Sequence, residues 1–288
     1  MSAVEVVWRL NIPELLGLAY VGLDDAGVDA DGNVYVSDGT NGRVYKFQPD
    51  GVCVDAFSVV ASDCTGESVC GLNLAVAPDS TFYLADAAND AVIRYDEYGG
   101  FAGEFAAPGA LSLCRGSQGL IYVFTNAEGI ERINSYDSLG ALVDTIPAPA
   151  RHRAHLDPGL VNLDSDFEGN VYVSYGMPPY RIWKVKADGS GIDTWGRAMD
   201  YPEDAILIAD IAFDQASGVL WTLLACKQFG RQMLDSFGPD GEFLGTVEIP
   251  QSEHLYSVIC AAGESDLYLL DTGTSPGSGD LMRIALSA

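Results

Sequence analysis

The feature that most limits what this 288-residue chain can become is a repeat. An aromatic residue among aliphatic ones returns as Tyr35 in NVYVSD, Tyr83 in TFYLAD, Tyr122 in LIYVFT, Tyr172 in NVYVSY, Trp221 in VLWTLL and Tyr268 in DLYLLD, at spacings of 48, 39, 50, 49 and 47 residues. Self-similarity at this period marks a propeller or a related array, in which each copy buries its apolar face only against its neighbours. Six copies fill the chain.

Each copy reads as four short strands. The innermost, A, is GVDA, LAVAP, LSLC, VNLDS, IAFD or SVICA, and strand B carries the aromatic. Strand C is RVYKF, VIRY, RINSY, RIWKV, MLDSF or LMRI, and strand D is VCVDAF, FAGEF, ALVDT, GID or EFLGT. Between them lie turns such as DADG, QPDG and KADG, whose Gly and Asp residues suit the positive φ values of tight antiparallel connections. The sixth copy stops after strand C, while the N-terminal VEVVWRL, residues 4–10, is a spare apolar strand. Pairing the two would close the ring and remove two open sheet edges. The expected fold is all-β: one domain over residues 1–288, a six-bladed β-propeller of four-stranded antiparallel blades, with the N-terminal strand completing the last blade.

The first copy, VDADGNVYVSDGTNGRVYKFQPDG, resembles the NHL repeat at Asp29, Gly32, Asn33, Tyr35, Asp38, Asn41, Arg43, Phe47 and Gly51. The second keeps Asp86, Asn89 and Tyr95 but has Ala91 where the repeat has Arg, and the third and fifth depart furthest. The resemblance implies a six-bladed propeller. Propellers of similar shape include streptogramin lyases, gluconolactonase-like lactonases and strictosidine synthase-like proteins, so the fold also admits hydrolase or lyase chemistry, usually metal-assisted.

Acidic residues number 41 against 15 basic ones, for a formal charge of −26. A surface of this sign repels phosphate backbones and anionic headgroups, so nucleic acid is not an expected partner. No run of 18 apolar residues is present, and no membrane insertion is expected. The six cysteines form no CxxC pattern. Cys64 and Cys70 in CTGESVC could close a short loop in an oxidising compartment, and an extracellular or periplasmic location is slightly favoured over the cytoplasm. The other four sit in or just after strand patterns, as small hydrophobes.

The long connections between copies, SVVASDCTGESVCGL, IPAPARHRAHLDPGL, TWGRAMDYPEDAIL and VEIPQSEHLYS, all fall between strand D and the next strand A, and so project from one face. They hold the candidate catalytic or metal-binding residues His152, His155, Glu203 and His254, whose imidazoles and carboxylate could share a metal or acid–base work. Calcium or zinc would be the metal at such a site, and the residues themselves establish no cofactor. Arg151, Arg153, Tyr201 and Asp204 in the same connections are candidate ligand-binding residues. Asp38, Asp86 and Asp271, each three residues after a strand aromatic, are expected to accept backbone N–H bonds in their own turns. No GxSxG or HExxH motif occurs. The expected function is a non-catalytic binding or scaffolding propeller that recognises a protein or small ligand on the long-loop face, or serves in a larger assembly. The alternative is a metal-dependent hydrolase or lyase with its site at the channel mouth.

Overall fold

A computed structural model of the protein describes residues 4–59, 72–149, 161–175, 181–195, 206–226, 231–249, 256–263, 266–272 and 278–286. Among them, strand β1 (Val4–Asn11) is followed by four strands in each of five blades. Blade 1 is β2 (Leu23–Val28), β3 (Val34–Asp38), β4 (Arg43–Phe47) and β5 (Cys53–Ser58). Blade 2 is β6 (Leu74–Val76), β7 (Phe82–Asp86), β8 (Ala91–Tyr95) and β9 (Phe101–Ala106). Blade 3 is β10 (Ala110–Arg115), β11 (Ile121–Ala127), β12 (Ile130–Tyr136) and β13 (Leu142–Pro147). Blade 4 is β14 (Val161–Ser165), β15 (Val171–Tyr175), β16 (Ile182–Val185) and β17 (Ile192–Trp195). Blade 5 is β18 (Ile206–Asp214), β19 (Val219–Cys226), β20 (Arg231–Phe237) and β21 (Phe243–Glu248). Blade 6 is β22 (Val258–Gly263), β23 (Asp266–Leu270) and β24 (Asp280–Leu286), completed by β1 in the order β1-β24-β23-β22. The innermost strands touch in sequence around the axis, and β2 meets β22, so the ring is closed.

The second strand of each blade is largely buried because it lies between two neighbours in its own sheet and between two other sheets. Val34, Tyr35 and Val36 have no exposed surface, and Leu267 and Leu269 repeat the pattern in blade 6. Three of the tyrosines that mark the repeat carry their hydroxyls across to the next blade: Tyr83 Oη donates to Ser138 O at 3.3 Å, Tyr122 Oη to Gly169 O at 3.0 Å and Tyr268 Oη to Gly32 O at 3.1 Å, while Tyr35 and Tyr172 donate to Asp29 and Asp166 of their own blades. Their rings fill the space between sheets while the phenol keeps a partner.

Blade 1 shows why the turn residues recur. Asp29 accepts the N–H groups of Asp31 and Asn33, the Asn33 amide and the Ser80 hydroxyl of blade 2, and pairs with Lys46 at 3.3 Å. Burial pushes its carboxyl up, but the bonds from Asn33 and Ser80 and the Lys46 charge hold it below the usual carboxylate range. Blade 4 rebuilds the hub with Asp166, Asn170, Tyr172 and Lys184, the ion pair measuring 3.2 Å. Asp29→Ala leaves Lys46 and the Asn33 amide without their acceptor in a buried turn. An urea titration should show a loss of about 3 kcal/mol, and an unchanged midpoint would contradict the assignment.

Two expectations need correction. The first inner strand runs Leu23–Val28 instead of starting at Gly27, because Asp29 already belongs to the turn hub. A short helix, α1 (Ile12–Leu16), also follows β1, which the apolar pattern did not suggest. Its ends are fully specified: Asn11 Oδ1 caps Glu14 N, Pro13 opens the first turn, and Gly17 ends it at φ +64°. The helix turns the chain from the rim of blade 6 toward blade 1, and its first residue, Ile12, is completely buried.

Candidate functional site

The six inner strands surround an axial cavity of about 420 Å³. An inner strand has a partner on one side only, so its outward N–H groups need acceptors from elsewhere. At three blade junctions an aspartate supplies one. Asp25 Oδ2 accepts Leu74 N at 2.8 Å, Asp164 Oδ2 accepts Phe213 N at 2.6 Å, and Asp210 Oδ2 accepts Ile259 N at 2.9 Å. In each case the second oxygen accepts the N–H of the following residue: Ala26, Ser165 or Ile211. Each bond spans 49 residues, one full repeat, so these carboxylates join consecutive blades. Asp24 beside them accepts Gly39 N.

These four carboxyls line the cavity together with Asn73, Ser112 and Asn162. Protein surrounds them closely enough that burial pushes Asp25 up to about 7, with the neighbouring Asp24 and Asp164 charges adding to the rise against the N–H bonds. Burial likewise lifts Asp164 and Asp24 to about 6, and Asp210 well above the carboxylate range. Asp25 and Asp164 each contribute to the rise at Asp210. The channel wall therefore holds carboxyl groups that exchange protons near neutrality. Ser112 is 95% buried in the same wall. Cys114 and Cys260 also line the cavity as free thiols whose burial pushes them well up, so they are protonated and poor nucleophiles.

His152, His155, Glu203 and His254, and likewise Arg151, Arg153, Tyr201 and Asp204, lie outside the described residues, as do Cys64 and Cys70. Among the described residues no group of three or more His, Cys, Asp and Glu side chains is arranged to hold a metal ion. The turn aspartates behave as expected where both partners are described. Asp38 accepts Asn41 N and the Asn41 amide, and Asp86 accepts the same two groups of Asn89. Asp24, Asp25, Asp164 and Asp210 escaped the reading of the sequence because Asp in these stretches looks like a turn former. The available signal was a carboxylate alternating with buried aliphatics in VNLDS, where the strand faces the axis.

No family model matches the chain, and no curated protein sequence matches it. Solved structures do share its architecture. Virginiamycin B lyase from Staphylococcus aureus aligns at TM-score 0.62 with 14% identity, covering 99% of each chain. The PQQ-bound aldose sugar dehydrogenase from Streptomyces coelicolor aligns at 0.61 with 15% identity, over 100% of this chain and 99% of that one. A gluconolactonase from Xanthomonas campestris aligns at 0.60 with 16% identity, over 98% and 90%. Identities this low speak for fold alone. No helix among the described residues is long and apolar enough to cross a membrane. The chain is a six-bladed β-propeller whose structural neighbours come from the streptogramin lyase, PQQ sugar dehydrogenase and gluconolactonase propellers.

Proposed function

We propose that this propeller is a ligand-binding module that takes a small molecule bearing a cationic or hydrogen-bond-donating group into its axial channel. The ligand would arrive from the face that carries the long inter-blade connections. The observation behind this reading is the cavity itself. It lies within the size range of small-molecule pockets, and it presents four carboxyls beside the buried Ser112. A ligand ammonium would replace protons on Asp25, Asp164 and Asp210 and relieve their mutual repulsion. Affinity for such a ligand should therefore rise with pH as these groups ionise. The test is calorimetry with spermidine and with a neutral polyol such as glucitol, using the protein and the D164N/D210N variant. Binding that strengthens about tenfold from pH 5 to pH 8 and is lost in the variant supports the reading. Binding indifferent to both pH and substitution refutes it.

The fold shared with virginiamycin B lyase and a gluconolactonase supports a second reading, a metal-dependent hydrolase or lyase. In that case His152, His155, Glu203 and His254 would hold calcium or zinc at the channel mouth, and a channel carboxyl titrating near neutrality would serve as general acid. Stoichiometric metal in the purified protein that disappears in H155A and H254A is the expected result. Metal content unchanged by both substitutions would exclude this ligand set.

A further inference from the structure

The end of the propeller opposite the long connections carries the turns between third and fourth strands, because strand direction alternates within each blade. Two neighbouring turns there expose large apolar side chains. In blade 2, Tyr98 at the turn and Phe101 at the start of β9 are 79% and 60% exposed. In blade 3, Leu139 at the turn and Leu142 at the start of β13 are 77% and 58% exposed. One side chain joins the two groups: Arg94 on β8 donates from Nη2 to Ala102 O at 2.9 Å and from Nη1 to Ser138 O at 2.6 Å. The residues following Phe101 and preceding Leu139 thus share a single guanidinium, and the blade 3 turn sits so close to blade 2 that a Cβ on Gly140 would collide with the Phe105 ring. The four side chains lie at one continuous blade junction.

The Phe101 ring meets Tyr95 edge-on at 6.5 Å, but the turns themselves do not call for apolar side chains at these positions. Both turns are already fixed by aspartates: Asp96 Oδ1 accepts Tyr98 N and Gly100 N, and Asp137 Oδ1 accepts Leu139 N and Ala141 N. A polar residue would serve at position 98 or 139 equally well, since neither side chain is needed for the turn. The rim around them is acidic, with Glu97, Glu104 and Asp144 exposed, and the guanidinium in its midst is committed to two carbonyls.

We infer that this junction between blades 2 and 3 is a docking surface for a basic, amphipathic polypeptide segment, one that sets aliphatic or aromatic anchors on Tyr98, Phe101, Leu139 and Leu142 and Lys or Arg on the surrounding carboxylates. Charge selects this occupant over the others. A second copy of the chain would bring acid against acid under a net charge of −26, and an anionic lipid surface would be repelled in the same way. The surface lies at the opposite end of the molecule from the proposed ligand channel mouth, so each can fail without the other.

The test uses fluorescence anisotropy of a dye-labelled synthetic helix of about 18 residues with leucines on one face and lysines on the other. A control helix replaces the lysines with glutamates. The intact protein is compared with Y98S/L139S and with L244S, which removes a similarly exposed apolar group from the outer strand of blade 5. The expected result is about tenfold weaker binding in Y98S/L139S, little change in L244S, and no binding of the glutamate helix. Equal binding by all three proteins would mean that the lysines merely sample the general negative surface, and would overturn the inference. So would concentration-dependent self-association that Y98S/L139S abolishes, or capture by neutral phosphatidylcholine vesicles lost in the same variant, because either identifies a different occupant.

Discussion

A chain that starts at Ile12 should fail to give the cooperative melt of the full protein. Strand β1 pairs antiparallel with β24 from Val4↔Leu286 to Asn11↔Asp280, and its loss opens β24 as a long apolar edge. The strand also fastens blade 6 to blade 1. Trp8 Nε1 donates to Pro49 O at 2.9 Å, its ring lies 5.7 Å from that of Tyr268, and Asn11 Nδ2 donates to Asp280 at 2.9 Å. Arg283 on β24 adds a bond to the same Pro49 carbonyl and an ion pair with Asp266. Together the ladder and the packing of Trp8 and Leu10 are worth about 5 kcal/mol or more, comparable with the whole stability of many domains. Size-exclusion chromatography and circular dichroism should show an aggregating or partly folded species, rescued by adding residues 1–11 as a peptide. Trp8→Ala, which keeps the ladder, should cost only about 2 kcal/mol. A truncated chain that melts where the intact one does would show that the ring closes by some other contact.

Stability should fall as pH rises from about 5 to about 8, by about 3 kcal/mol. The sign follows from the channel carboxyls. Asp25, Asp24 and Asp164 sit at about 7, 6 and 6 in the folded state, against 3.8 in an unfolded chain. Through that window the native state holds more protons than the unfolded one, so the stability present below the unfolded value is lost as pH climbs through the folded values. The three side chains are only half-buried, which lowers the cost of ionising them, and they ionise as a coupled set. Asp29 acts in the opposite sense: its lowered folded value stabilises the protein above the ordinary carboxylate range and is lost only on strong acidification. Maximal stability is therefore expected on the mildly acidic side. Urea titrations at several pH values, in enough salt to screen surface repulsion, should show this slope, and D164N/D210N should flatten it. A midpoint that rises between pH 5 and 8 would mean that the channel groups are ionised without penalty, for instance through a bound cation.

The parts of this protein governed by local periodicity could be read directly. Tyr35, Tyr83, Tyr122, Tyr172, Trp221 and Tyr268 marked the six second strands, and VEVVWRL without a partner strand of its own pointed to the closing role that β1 fills. Turn chemistry was legible for the same reason. Asp38 with Asn41 and Asp86 with Asn89 act within three residues of each other, so residue type and spacing suffice. Helix α1 was missed because five residues carry too little apolar periodicity to register, although its caps are plain once the chain is seen to turn there.

What the chain alone determined is the number of blades, the order of strands within each and the strand that locks the ring, because these follow from patterns two to fifty residues long that repeat along it. Tertiary structure decided which of the 41 acidic residues face the axis. An aspartate in LDDAG or VNLDS becomes a channel group with a raised pKa only when the ring closes around it and the next blade, one repeat away, offers it an edge N–H. The same holds for the blade 2 and blade 3 turns. Tyr98 and Leu139 become one surface only because Arg94 and Ser138, 44 residues apart, meet across the junction. Such contacts depend on how the sheets pack radially, and no pattern within a single repeat encodes that.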